Sequence, residues 1–303
     1  MLRKQKILIL DGGLATELEK RGADLKNRLW SAKLLIENPD LIRQVHHDFM
    51  AAGADIVITA SYQASIPGFV QAGVSVKEAE NLIRLSVELA CEARDAFCDS
   101  EQSRKRLRPM VAASIGPYGA CLADGSEYRG DYALGKDELI KFHRPRMEIL
   151  SETDADLFAF ETIPSQLEAE TLLELLGEFP NTKAWLSFSC KDEVHVSHGE
   201  QFCDCVALAE NHAQIEAIGV NCTRPEYIPG LLKSAFGTEL PLIAYPNSGE
   251  AWNAVKREWA EERSQSLNAV EWIRAGARLV GGCCRVGVDD ISSMRKAVNE
   301  SYP

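Results

Sequence analysis

The sequence predicts a (β/α)8 TIM barrel, with three observations behind it. Eight short apolar runs rich in β-branched residues recur along the 303 residues. The runs are continuous rather than alternating, as expected of parallel strands covered on both faces. Between them lie amphipathic segments of helical period. One unit per roughly 38 residues is within the usual size of such barrels. The competing architecture is a doubly wound open sheet. It would want a phosphate fingerprint after the first strand, and "DGGLAT" lacks the G-x-G-x-x-G spacing. No linker-like stretch divides the chain, so residues 1–303 are read as one domain.

The elements follow in order. "ILILDGG" (7–13) is a buried strand closed by Asp11 and two glycines. "NPDLIRQVHHDFMAAG" (38–53) is a helix, with Asn38 as N-cap, Pro39 at the first helical position and Gly53 as the stop. "ADIVITASY" (54–62) is the second strand and "SVKEAENLIRLSVELACEARDAF" (75–97) the helix after it. Strands three and four are "MVAASIGPYG" (110–119) and "DLFAFET" (156–162), with a helix in "QLEAETLLELLGEF" (166–179). Strands five to eight are "AWLSFSC" (184–190), "AIGVNCT" (217–223), "PLIAYPNSG" (241–249) and "RLVGGCC" (278–284), and a last helix follows residue 288. "AGAD", "ETDAD" and "AGAR" each mark a helix ending just before a buried strand.

Composition excludes several classes. A formal charge of -12 repels phosphate backbones, so nucleic acid is not an expected partner. No apolar run approaches the length needed to span a bilayer, so no membrane partner is expected. The apolar stretch "ILIL" in "MLRKQKILILDGG" is too short for the core of a secretion signal. The chain is therefore read as cytoplasmic. Its nine cysteines, at 91, 98, 121, 190, 203, 205, 222, 283 and 284, show no framework spacing and should mostly be reduced.

In a barrel, the residues just past each strand share one face, and active sites lie there. Here those positions collect Asp11, Gly12 and Gly13; Ser61 and Tyr62; Pro117 and Tyr118; Glu161 and Thr162; Cys190; Asn221 and Cys222; Asn247 and Ser248; and Cys283 and Cys284. The strand bodies are apolar, so chemistry is concentrated at one end.

Cys283 and Cys284 are adjacent. Two inert buried thiols are one reading. A vicinal disulfide is a second, disfavoured because neighbouring Cα atoms are only about 3.8 Å apart. A metal site is the third. It requires the strand to have ended, because successive strand side chains point to opposite faces. Gly281 and Gly282 permit a turn there. Cys222, at the end of strand six, would supply a third thiolate, a set that suits zinc with one position open. Cys190, His195 and His198 are rivals, but "KDEVHVSH" reads as a solvated loop.

Taken together, "DGGLATEL", "ITASYQAS", "SIGPYGACLADGSEYRGDY", "FHRPR", "FAFETIP", "GVNC", "YPNSGE" and "GGCCR" resemble the homocysteine S-methyltransferase family along essentially the whole chain. The "GSEYRGDY" loop resembles the branch that uses S-methylmethionine or S-adenosylmethionine. The resemblance implies zinc-dependent methyl transfer from a sulfonium to the thiol of homocysteine, forming methionine. It implies that Cys222, Cys283 and Cys284 hold Zn2+. It also implies that Asp11 and Glu161 hold the substrate ammonium. The Gly12–Gly13 backbone could offer N–H groups to the substrate carboxylate. Asn221 either bonds substrate or holds the turn. Aromatic faces suit a sulfonium; Trp30 and Tyr62 match aromatic positions of betaine-using relatives, and Tyr118 is a further candidate. The loop 120–132 is a candidate lid. A betaine- or selenocysteine-using relative is an alternative, and a non-catalytic zinc or thiol sensor is an alternative of another class.

Overall fold

A computed structural model describes residues 2, 7–25, 29–250, 252–253, 258–259 and 267–302. Eight parallel strands form one sheet: β1 (Leu8–Ile9), β2 (Ile56–Ile58), β3 (Met110–Ile115), β4 (Leu157–Ile163), β5 (Ala184–Phe188), β6 (Ile215–Asn221), β7 (Leu242–Tyr245) and β8 (Ala277–Val280). Each pairs with its neighbours in sequence, and β8 pairs with β1. A parallel bridge from Leu10 to Ile56 joins β1 to β2, so the ring closes. This is the expected TIM barrel, and every predicted run overlaps its strand, although β4 runs one residue past its run and β6 and β8 start two and one residues before theirs.

The helices form where the helical period predicted them, and Asn38 caps the first of them as expected. Pro39–Ala52 begins with the Asn38 side chain accepting from the Leu41 N–H, and ends at Gly53 with φ 130°. Val76–Cys98 and Gln166–Leu176 are capped in the same way by Ser75 and Ser165. The latter stops three residues short of the predicted end, at Gly177. The last helix spans Val288–Ser301. Among the described residues no helix is long and apolar enough to cross a membrane.

Two apolar layers follow from strand alternation. Outward residues such as Phe158, Phe160, Leu186 and Val220 pack under the helices. Inward residues, among them Leu8, Ala112, Ala159, Trp185, Ala217 and Ile243, fill the barrel. Two residues farther along four of the strands the inward positions become polar: Ser114 after Ala112, Glu161 after Ala159, Ser187 after Trp185, and Tyr245 after Ile243. The barrel is thus apolar through its body and polar at its C-terminal mouth.

Candidate active site

At that mouth lies a cavity of about 180 Å³. Its floor is formed by strand ends, including Glu161, Cys222, Tyr245, Gly282, Cys283 and Cys284. Its outer wall is formed by connections, including Trp30, Tyr62, Gly125, Glu127 and Tyr128.

The three cysteines converge. Cys222 directly follows β6 in a left-handed conformation, φ 44°. Beyond β8 the chain turns over Cys283–Val286, with the Val286 N–H donating to the Cys283 carbonyl at 3.1 Å and Arg285 at φ 67°. The turn brings both adjacent thiols to one side. The glycines before it serve close packing. A Cβ on Gly282 would lie 2.1 Å from Val286, and one on Gly281 would lie 2.7 Å from Leu10.

Cys222 and Cys283 are joined by a disulfide, and Cys284 is free. The adjacent pair is therefore not bridged, as expected. Seven cysteines are free and one pair is oxidised. The pair comes together because β6 and β8 both end against the cavity floor. The three ligand atoms lie within 4.8 Å of one another. The Cys284 sulfur is 3.8 Å from that of Cys222 and 4.0 Å from that of Cys283. Tetrahedral zinc with Zn–S bonds of about 2.3 Å would separate its sulfurs by about 3.8 Å. The donor set and the two separations from Cys284 thus fit a thiophilic ion once the Cys222–Cys283 pair is reduced. Burial and the Glu127 and Glu161 charges push the Cys284 thiol up to about 12, and a bound cation would reverse that effect. Thiolate is the ligand form, so the disulfide and a metal are alternative uses of the same sulfurs.

Two carboxyl groups stand beside this cluster. Glu161 accepts from the Ser114 hydroxyl, yet burial raises it to about 7. Tyr245 is held by the Trp185 indole N–H at 3.0 Å and by Ser187 at 2.6 Å. Asp11 accepts from the Ile58 N–H through Oδ2 at 2.8 Å. Its Oδ1 is buried without a partner. Burial, reinforced by the Glu161 charge, raises Asp11 well above the usual carboxylate range. Two buried carboxyls and one unpaired acceptor make a site that a cation would satisfy.

Asn221 is fully buried and its bonds run to protein. Its Oδ1 accepts from the Thr162 N–H at 2.6 Å and from Ser187 at 2.9 Å. Its Nδ2 donates to Thr162 Oγ1 at 2.7 Å and, at 4.0 Å, reaches Cys283 Sγ. Thr162 has φ 59°, so Asn221 clamps a left-handed kink directly after Glu161. Of the two readings open in the sequence, the geometry is that of holding the turn. Gly13 is likewise engaged: its N–H donates to the Val286 carbonyl at 2.8 Å, so it is not free for a ligand. Both glycines allow close approach. A Cβ on Gly12 would lie 2.4 Å from the Val286 carbonyl oxygen, and one on Gly13 would lie 2.6 Å from that of Cys283.

Trp30 and Tyr62 line the cavity together, their rings 6.2 Å apart edge to face. Tyr118 does not line it. Its ring packs against Tyr132 and Phe142 at 5.3 and 5.0 Å, because the chain turns into a helix at Tyr118 and carries that ring behind the rim. Tyr128, ten residues later, lines the cavity instead, together with Cys284. Part of the predicted 120–132 loop does form the cavity wall. His195 and His198 are surface residues paired with Asp192 and Glu200, and Cys190 is a buried thiol outside the three-sulfur group.

The family model described as homocysteine S-methyltransferase matches residues 8–298. The chain belongs to the homocysteine S-methyltransferase family. It is 51% identical over 293 residues to homocysteine S-methyltransferase YbgG of Bacillus subtilis, covering 95% of this chain and 93% of that one. It is 47% identical to selenocysteine Se-methyltransferase of Brassica oleracea var. italica, covering 95% and 88%. The metallated form of the homocysteine methyltransferase MmuM from Escherichia coli superposes with a TM-score of 0.88 at 45% identity, covering 98% of each chain; its oxidized form gives 0.87. The methyltransferase thus carries the barrel of its family. Its three-sulfur cluster lies at the mouth of that barrel.

Proposed function

We propose that the methyltransferase transfers a methyl group from S-methylmethionine, or S-adenosylmethionine, to the thiol of L-homocysteine, with Zn2+ held by Cys222, Cys283 and Cys284. The observation that carries this reading is one cavity lined both by three converging sulfurs and by aromatic rings.

The acceptor needs an ionised thiol, and a free alkyl thiol is only about 3% thiolate at pH 7. Zinc, when bound, ionises that thiol, removing roughly 2 kcal/mol of population penalty. The residues of the chain do the rest. Glu161 and Asp11 take the acceptor ammonium, which supplies the donor that Asp11 Oδ1 lacks. Asn221 holds the kink that places Glu161. Trp30, Tyr62 and Tyr128 face the sulfonium, a cation with no hydrogen-bond donor on its sulfur. Transfer is an in-line displacement, so positioning supplies much of the rate. The S–CH3 bond forms as the donor C–S bond breaks. The electron pair stays on the donor sulfur, and the thiol proton leaves to solvent. With S-methylmethionine both products are methionine.

Selenocysteine is a second acceptor to consider, because the Brassica relative at 47% identity is named for it. We further place the enzyme in the cytoplasm as a single domain over 1–303, since a thiolate metal site requires a reducing compartment. The test is methionine formation from homocysteine and S-methylmethionine by reduced protein, before and after chelation. Turnover lost with the metal and restored by zinc supports the reading. Turnover that survives metal removal refutes the zinc requirement. Betaine outperforming both sulfonium donors refutes the donor assignment.

A further inference from the structure

The outer wall of the cavity carries a carboxylate that the chemistry above does not use. Glu127 lies in a short helical turn, Ser126–Tyr128, within the connection after β3. The wall is held in place: the Glu127 carbonyl accepts from Ser189 at 3.2 Å. The turn also packs so closely on Gly119 that a Cβ there would lie 2.5 Å from the Glu127 nitrogen. Glu127 lines the cavity, and its Oε2 is buried without a hydrogen-bond partner. The nearby cation is turned elsewhere. Arg129 bonds Ser126 at 2.9 Å and Asp131 at 3.3 Å, and among the described residues no ion pair reaches Glu127.

An unpaired buried carboxylate oxygen is costly, and its presence at a cavity wall marks a place for a donor from the ligand. The charge of Glu127 is felt at Tyr62, Tyr128 and Cys284, so it stands among the groups that face the reacting sulfurs. Three aromatic faces already suit the sulfonium. What they lack is an acceptor for N–H groups. We infer that Glu127 binds the α-ammonium of the methyl donor, so that the enzyme selects sulfonium donors carrying a free amino-acid amine over those with none. This rests on the sulfonium-donor reading above and deepens it. S-methylmethionine and S-adenosylmethionine share the α-ammonium. Dimethylsulfoniopropionate has the sulfonium and the carboxylate without it.

The experiment compares kcat/KM for S-methylmethionine, S-adenosylmethionine and dimethylsulfoniopropionate in the zinc-loaded enzyme and in E127Q, with E127D as the charge-retaining control. Loss of a charge-assisted hydrogen bond corresponds to about ten- to a hundredfold. The expected result is that the preference for S-methylmethionine over dimethylsulfoniopropionate falls by that factor in E127Q and is partly kept in E127D. A preference confined to one of the two amino-acid donors identifies which of them Glu127 serves. Equal losses for all three donors overturn the inference, since Glu127 would then support the loop or the sulfonium; so does an unchanged preference. Calorimetric titration with S-methylmethionine separates this from the donor reading. If wild type turns over no amino-acid sulfonium, that reading fails. The role of Glu127 fails if E127Q binds S-methylmethionine as tightly as wild type, or if wild type does not bind it.

Discussion

Replacing Asn221 with alanine separates a residue that shapes the site from one that touches substrate. The side chain makes three buried hydrogen bonds to oxygen and nitrogen partners, two to Thr162 and one to Ser187, beside a long contact of 4.0 Å to Cys283 Sγ. The two bonds other than that to the Thr162 N–H are worth about 1 kcal/mol each net, and leaving that N–H buried and unpaired costs about 1–3 kcal/mol. The loss totals about 3–5 kcal/mol. The Thr162 kink, at φ 59°, is then no longer clamped, and Glu161 beside it is released from its place. N221A should therefore lose roughly 3–5 kcal/mol in urea unfolding, which is on the order of 10 °C in melting temperature for a chain this size. Its kcat/KM for homocysteine should fall with it. The reasoning is refuted if N221A unfolds within about 1 kcal/mol of wild type while its KM for homocysteine rises more than tenfold. That result would make Asn221 a substrate contact.

Three further outcomes are expected. Glu161 has its carboxyl raised by burial to about 7, so in the free enzyme its neutral form is favoured and the stability that form contributes is lost as pH rises through about 7. The acceptor ammonium needs the ionised form, so KM for homocysteine should fall through the same window; an E161Q profile that keeps this step would exclude Glu161 as its origin. W30A should raise the donor KM about 5- to 30-fold, the worth of one desolvated cation–π contact, whereas Y118F should stay within about twofold in steady-state assays, because Tyr118 packs away from the cavity. G282A places a Cβ 2.1 Å from Val286 and must open the Cys283–Val286 turn. Metal analysis should show zinc content well below one per chain with a near-native circular dichroism spectrum, and full zinc content would mean that the turn can yield without moving the thiols.

The strand runs were legible because burial on both faces makes each one a continuous apolar word, and the Asn38 cap is local chemistry. The cysteine cluster was legible for a related reason: Cys222 and Cys283 both follow strands, and a barrel gathers strand ends. Tyr118 misled because it also follows a strand. Proximity to a strand end does not say which way a ring turns, and here a helix starts at that residue. Glu127 and Tyr128 were missed because their place depends on a loop folding back onto Gly119, a contact between residues with no local signature. Ser114, Ser187 and Tyr245 could have been found. Each lies two residues beyond an inward apolar residue, and period-two counting would have marked them had the apolar runs not concealed their own alternation.

The two walls of the cavity come from different kinds of backbone. Glu161, Tyr245 and Cys222 sit on or directly beyond barrel strands, whose register eight-fold pairing fixes. Trp30, Gly125, Glu127 and Tyr128 sit on connections attached to that frame. A mutation in the frame disturbs folding everywhere. A change in the connection remodels one wall and leaves the sulfurs where they are. The architecture therefore allows one half of the cavity to be exchanged by loop grafting while the other half is inherited intact, and new leaving-group chemistry in this scaffold is best sought by varying residues 118–132 on a constant barrel.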